Sequence, residues 1–173
     1  PDIEALCVRC HTPMGHHTNR IAGKDSPRVA EAAADPLFGD GVSCTVCHQI
    51  QAEGLGTEDR FDGRVLINPG RKIFGPYEDP GGQPMLVHSA FTPMQGTHIR
   101  SSALCGSCHT LHTAHAGKLF PEQSPYLEWR NSEFTDEAGR TATSRTCQEC
   151  HMADIGPMRV ARNPAGVDFN IKT

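Results

Sequence analysis

The sequence has few of the residues that usually build a protein core. Of its 173 residues, 37% are hydrophobic and 6% are aromatic, whereas Gly and Pro number 17 and 13. This composition is poorly suited to a large core of side chains, because little apolar surface is available to offset the entropy that the chain loses on folding. We therefore expect a mainly irregular fold with short α-helices and minimal β structure, in which much of the buried apolar surface comes from something other than side chains.

Other absences exclude whole classes of protein. No hydrophobic run approaches the roughly 18–20 residues that span a bilayer, so we expect no transmembrane segment. The net charge is −4, and the basic residues are scattered rather than grouped in a stripe. Nucleic-acid binding needs such a stripe, so we expect no nucleic-acid partner. The scattered arginines are expected to be solvated, with a few of them paired to carboxylates.

No cysteine lies outside one motif, Cys-x-x-Cys-His, which occurs at residues 7–11, 44–48, 105–109 and 147–151. This is the attachment signature of a c-type haem, in which two thiols add to the vinyl groups and the His ligates the iron. Zinc ribbons and redox dithiols also contain Cys-x-x-Cys, but neither explains a His after every pair. The motifs predict four covalent haems attached through Cys7, Cys10, Cys44, Cys47, Cys105, Cys108, Cys147 and Cys150, with His11, His48, His109 and His151 as proximal ligands.

Six further histidines are available as second axial ligands, and four are needed. A second His follows the motif His by six residues in two places, at His17 and His115. We favour these two together with His98 and His88, and keep His16 and His112 as alternates. Bis-His ligation closes the iron to substrates and favours electron transfer.

The haems would supply the missing core, so we expect one domain over residues 1–173. The repeated spacing suggests dihaem halves at 1–50 and 98–158, with an insertion at 51–97. Ser26-Pro27 and Asp35-Pro36 predict a short helix over 28–34. Ser101 or Ser102 is expected to cap the third motif, and Thr146 with Glu149 the fourth. Ser124-Pro125 opens another predicted helix. Residues 64–67 and 71–74 flank Asn68-Pro69-Gly70 and predict a small hairpin.

Several runs resemble a broad family of multihaem c-type cytochromes between about Cys7 and Met152. They are residues 41–48, residues 101–109 with His98 just before them, and residues 126–132 followed by 147–152. The family includes periplasmic carriers, tetrahaem modules of respiratory complexes and extracellular cytochromes that polymerise into conducting filaments (nanowires). In those filaments haems of adjacent subunits stack, and a His sometimes ligates a neighbour's iron.

The resemblance implies attachment of haem outside the cytoplasm, a removed signal peptide and an extracellular or periplasmic location. It favours an electron-transfer protein that polymerises, with other redox proteins or extracellular acceptors as partners. A discrete periplasmic carrier or complex subunit is the alternative. A small reductase of nitrogen or sulfur oxyanions, which needs one five-coordinate haem, is a third. The chain lacks the Cys-x-x-Cys-Lys motif of catalytic relatives, so we do not expect an enzyme.

Overall fold

The structure is a computed structural model that describes residues 3–152, 158–162 and 168–171, the last two stretches as backbone strands alone. Short helices dominate the described residues. They are α1 (Ile3–His11), α2 (Pro13–Ile21), α3 (Val29–Ala34), α4 (Pro36–Gly39), α5 (Cys44–Cys47), α6 (Gly82–Ser89), α7 (Ser102–Gly106), α8 (Pro125–Arg130) and α9 (Cys147–His151), with a 3₁₀ turn at Thr97–Arg100. None of them is long and apolar enough to cross a membrane.

Six strands form three separate two-stranded sheets in the described part of the chain. Strands β1 (Lys72–Gly75) and β2 (Thr92–Gln95) pair in parallel, with Ile73 opposite Pro93. Strands β3 (Leu111–His115) and β4 (Lys118–Gln123) form an antiparallel hairpin with an irregularity between Leu111 and His112. Strands β5 (Met158–Arg162) and β6 (Asp168–Ile171) are also antiparallel.

The expected mixture of short helices and irregular chain is confirmed, but the predicted hairpin near residues 64–74 is wrong. Ile67 instead forms an antiparallel bridge with Ile50, just after the second motif. Both isoleucines are buried in one cluster with Val46 and Leu104. Burial against the second motif therefore outweighs local pairing across Asn68-Pro69-Gly70, and residues 72–75 pair with β2 instead.

The side-chain core is small. One buried cluster contains Val46, Ile50, Ile67 and Leu104, and a second contains Val8, Ala32 and Phe38. Many large apolar side chains remain exposed, including Val87 at 73% and Leu119 at 75%.

Several helix ends occur where the local signals place them, but the predicted cap of α3 at Ser26-Pro27 is wrong. Helix α3 begins at Val29 with Arg28 as its N-cap residue, and the Ser26 hydroxyl contacts His16 Nδ1 instead. Helix α3 ends at Ala34, and the Asp35 carboxylate then accepts a hydrogen bond from the Leu37 amide at 2.8 Å to start α4. Helix α8 begins at Pro125 as predicted. Its Tyr126 is buried and stacks on Trp129, with ring centroids 5.8 Å apart. Helix α8 packs against α7 of the third motif. Because Gly106 has no side chain, the Tyr126 ring approaches the backbone of α7 closely.

Candidate functional site

Each Cys-x-x-Cys-His motif lies on a single helical turn. The first motif ends α1, the second spans α5 and the following His, the third starts in α7, and the fourth is α9. The His48 amide donates to the Cys44 carbonyl at 3.1 Å, and the His109 amide to the Cys105 carbonyl at 2.9 Å. Residues three and four apart on a helix share a face. The two thiols and the imidazole of each motif therefore lie on one side of their turn.

Capping residues set the start of the third and fourth turns. The Ser101 hydroxyl accepts a hydrogen bond from the Ala103 amide at 3.3 Å. At the fourth motif, the Thr146 hydroxyl accepts from the Glu149 amide at 3.2 Å, and the Glu149 carboxylate accepts from the Thr146 amide at 2.8 Å. This is the predicted capping box, and it makes the first cysteine of the fourth motif the first residue of its helix.

The four motifs meet around the third one. The Gly63 amide donates to the Ser107 carbonyl of the third motif at 2.7 Å, and Arg9 of the first motif donates to the carbonyl of the adjacent Asp62 at 2.9 Å. Val46 of the second motif is buried in the same apolar cluster as Leu104, which directly precedes the third. The first two motifs are therefore packed against, or connected by hydrogen bonds to, the region of the third, and the fourth is joined to it as described below.

Burial and neighbouring thiols shift the pKa of several motif cysteines. The hydrogen bond with Cys108 lowers the pKa of Cys10, while the same bond, together with burial, raises the pKa of Cys108. Burial is the main cause that raises the pKa of Cys105 to about 12. Each of the other three motifs has one exposed and one half-buried cysteine, the exposed ones being Cys7, Cys44 and Cys150. In these motifs, one thiol is open to solvent and the other is half-buried in the chain.

The third and fourth motifs are joined by partly buried hydrogen bonds. The Cys147 amide donates to the Ser102 hydroxyl at 2.9 Å, and the Gln148 side-chain amide donates to the carbonyls of Ile99 and Ser101 at 3.0 and 2.9 Å. Ser102 is fully buried. These contacts hold α9 against the start of α7, so that the two motifs keep a defined separation.

Among the proximal histidines, His48 has its ring orientation set by the backbone. Its Nδ1 lies 2.5 Å from the Phe74 carbonyl. A carbonyl only accepts, so Nδ1 carries the proton and Nε2 keeps its lone pair. This arrangement is the usual one for a metal-ligating His. The other three proximal candidates, His11, His109 and His151, are exposed on their turns.

His16 and His17 lie on α2 and line a cleft of about 300 Å³ with Arg9, Arg20 and Arg64. His16 Nδ1 is 2.8 Å from the Ser26 hydroxyl. Burial lowers the pKa of both histidines, and the neighbouring arginines lower it further. The cleft therefore combines neutral imidazoles with a concentration of positive charge, a setting that suits a group carrying carboxylates.

The remaining favoured histidines have different surroundings. His98 Nε2 donates to the Ile50 carbonyl at 2.8 Å, and the His98 ring packs edge-on against Phe74 with centroids 5.0 Å apart. In this arrangement, only Nδ1 of His98 has a lone pair available. His88 is exposed in the last turn of α6, a helix that has no buried residue.

The two histidines of β3 also differ. His115 is exposed at the end of the strand. His112 is half-buried, with Nδ1 3.2 Å from the Asp62 carboxylate, and it lines a second cleft of about 370 Å³. The sequence interpretation missed Asp62, as well as the roles of Arg9 and Arg20 in the first cleft. The Asp62-Gly63 pair indicates a turn, but no local pattern indicates that its carboxylate contacts a residue fifty positions away.

Several features of the structure fit covalent haem. The donor sets lie on helical turns, and the two buried apolar clusters of residues 3–152 are small. The buried polar side-chain atoms without a hydrogen-bond partner in the described residues are Ser107 Oγ, Thr110 Oγ1 and Gln148 Oε1. All three lie in or next to the third and fourth motifs. Buried polar groups without partners are uncommon. Their grouping here indicates that the chain alone does not supply all the hydrogen-bond partners needed at these two motifs.

No group of three or more His, Cys, Asp or Glu side chains in the described residues is arranged to hold a metal ion directly. Comparisons of the chain with protein-family models, with curated proteins and with solved structures gave no match.

Proposed function

We propose that this protein carries electrons through four covalently bound c-type haems. The observation that carries the proposal is the placement of four Cys-x-x-Cys-His motifs on helical turns, with the third motif joined to each of the others by packing or hydrogen bonds. The eight cysteines would hold the haems through thioether bonds, and His11, His48, His109 and His151 would ligate the irons. When bound, haem supplies an iron that gains and loses one electron without breaking a covalent bond.

The clustering of the motifs supports transfer between haems. Electron exchange weakens steeply with separation. The third motif is joined to the first through the Asp62-Gly63 turn. It is joined to the second through the apolar cluster of Val46 and Leu104, and to the fourth through Ser102. Groups attached at these motifs would therefore start from neighbouring positions. The role of the chain is therefore to hold the attachment points together and in fixed orientation.

Charged and polar side chains would help to bind the haem propionates and to orient the histidines that ligate the irons. Arg9, Arg20 and Arg64 surround the cleft that contains His17, and guanidinium groups bind carboxylates such as haem propionates in bidentate fashion. His48 would ligate through Nε2, because the Phe74 carbonyl holds the proton on Nδ1. Six histidines outside the motifs are enough to give every iron a second ligand.

Low-temperature electron paramagnetic resonance of the oxidised holoprotein tests the closed, bis-His state. Four low-spin ferric signals, with reversible one-electron steps in a redox titration, are expected for an electron carrier. A stoichiometric high-spin ferric signal would contradict this proposal, because it would show an open iron. It would favour reduction of a nitrogen or sulfur oxyanion instead.

We propose further that the protein polymerises outside the cytoplasm. Two exposed elements support this. Helix α6 buries none of its residues and exposes Leu86 and Val87, and strand β4 exposes Leu119 and Phe120. Contacts between such surfaces on successive copies build an open filament when the rotation from one copy to the next does not close into a ring.

Electron microscopy of natively purified protein is expected to show filaments with a regular repeat. Uniform single particles would contradict polymerisation and leave a discrete carrier with separate redox partners.

A further inference from the structure

Asp62 occupies an unusual position between the first and third motifs. Both Asp62 and Gly63 have positive φ values, 58° and 71°, which a non-glycine residue rarely adopts. The Asp62 amide donates to the Thr110 carbonyl at 2.9 Å, and the Gly63 amide to the Ser107 carbonyl at 2.7 Å. Arg9 of the first motif donates to the Asp62 carbonyl at 2.9 Å. The turn is therefore attached by hydrogen bonds to both motifs.

The carboxylate of this residue is buried and fully engaged. One oxygen accepts hydrogen bonds from the His112 backbone amide at 2.7 Å and from His112 Nδ1 at 3.2 Å. The other oxygen accepts from Arg64 at 3.0 Å. The Asp62 side chain is only 9% exposed, against 26% for His112 and 54% for Arg64. Left-handed backbone at a non-glycine residue is retained where the surroundings hold it in place, and it is often found at functional sites.

A carboxylate at Nδ1 has two effects on an imidazole. It keeps the proton on Nδ1, so that Nε2 presents its lone pair, and it makes Nε2 a more basic ligand. His112 lines the cleft of about 370 Å³ together with Phe61, Leu127 and Arg130. An Asp–His pair held at the wall of a partly apolar cleft is the arrangement that orients a metal ligand.

We propose that Asp62 is a positioning residue that holds His112, rather than His115, as an axial ligand of one haem, and that its charge lowers the reduction potential of that haem. The inference rests on the proposed function, since it requires haem to be bound. Negative charge close to an iron stabilises its ferric form, so loss of the carboxylate charge shifts the potential upward. Arg64 on the other oxygen acts in the opposite direction.

The ligand assignment is tested by electron paramagnetic resonance of the holoprotein carrying His112→Ala or His115→Ala. We expect His112→Ala to convert one of four low-spin signals to high spin, and His115→Ala to leave all four low spin. The reverse pattern, or four low-spin signals in His112→Ala, would overturn the assignment.

The effect of the charge is tested by redox titration of Asp62→Asn. The Asn side chain keeps the size of Asp and an oxygen that accepts hydrogen bonds, but it lacks the charge. One of the four midpoint potentials is expected to shift upward. The matched control is Asp59→Asn, which removes the same charge from an exposed residue three positions away. An unchanged titration in Asp62→Asn, or an equal shift in both variants, would overturn the proposal.

Arg64→Gln covers the case in which Asp62→Asn yields no holoprotein, because Arg64 is half exposed and its loss should not prevent folding. Arg64 also lines the cleft of His17, so the control is Arg20→Gln, which removes a positive charge from that cleft alone. Arg64→Gln is expected to lower one midpoint potential that Arg20→Gln leaves unchanged, and the absence of such a shift would overturn the proposal. The haem content of every sample is measured first by intact mass. A wild-type chain without haem would refute the proposed function itself. Four haems with unaffected spin states and potentials would refute only the role of Asp62.

Discussion

At the scale of single residues, the histidines differ in which ring nitrogen makes a hydrogen bond. The Phe74 carbonyl engages Nδ1 of His48 and leaves Nε2 with its lone pair, whereas the Ile50 carbonyl engages Nε2 of His98. Asp62 engages Nδ1 of His112. Since Nε2 is the nitrogen that ligates iron when Nδ1 carries the proton, these bonds favour His48 and His112 as ligands in the present arrangement. For His98 to ligate through Nε2, its bond to Ile50 must be replaced.

Gly106, between the two cysteines of the third motif, is a residue whose size matters. A Cβ atom at this position would lie 2.7 Å from ring atoms of Tyr126. The Gly106→Ala variant is therefore expected to lower the free energy of unfolding by about 1–3 kcal/mol through overpacking. The control is Gly39→Ala, because a Cβ at Gly39 meets nothing within 4 Å. Denaturant unfolding of both holoproteins measures the difference, and equal midpoints would show that Tyr126 moves aside without cost.

At the scale of the element, helix caps contribute to stability, and this contribution can be tested at the cap of the fourth motif. Replacing Thr146 by Ala removes the hydroxyl that accepts from the Glu149 amide. We expect a loss of about 1 kcal/mol in the free energy of unfolding. Thr146→Ser keeps the hydroxyl and should stay much closer to wild type. Denaturant titration of the two variants compares them, and an equal loss in both would mean that the buried methyl group of Thr146, not its cap, is responsible.

Elements with local signals could be predicted from the sequence, whereas those that depend on distant contacts could not. The end of α3 at Asp35-Pro36, the start of α8 and the cap at Thr146 follow from Asp, Pro, Ser and Thr at the element ends. The start of α3 does not, because its N-cap residue is Arg28 rather than Ser26. The hairpin at 64–74 was wrong because Ile67 pairs with Ile50 across the second motif. The parallel pairing of β1 with β2 also joins segments about twenty residues apart, and no turn signal indicates it.

The same distinction applies to the candidate site. Spacing alone identifies the cysteines and the His that follows each pair. The relation between motifs is tertiary, because the hydrogen bond from the Cys147 amide to the Ser102 hydroxyl joins residues forty-five positions apart. Asp62 reaches His112 across fifty positions. The choice between His112 and His115 therefore depends on a contact that no local spacing contains.

At the scale of the whole molecule, the side-chain core limits what the chain does alone. The two buried apolar clusters of the part of the chain that the structure describes contain four and three residues. Burial on this scale does not offset the entropy of ordering the chain. We expect the chain produced without haem attachment to show no cooperative thermal transition and little protection of its amides from hydrogen exchange. The control is the same chain with haem attached, which should melt cooperatively. A cooperative transition in the haem-free chain would contradict a core made largely of haem.

Intact mass spectrometry of the natively purified chain, with and without alkylation of free thiols, tests the central claim most directly. Four covalent haems use all eight cysteines in thioether bonds. The account therefore predicts the mass of the chain plus four haems, unchanged by an alkylating reagent under denaturing conditions. A chain at its unmodified mass that takes up eight alkyl groups would contradict it, and the four motifs would then require a different explanation.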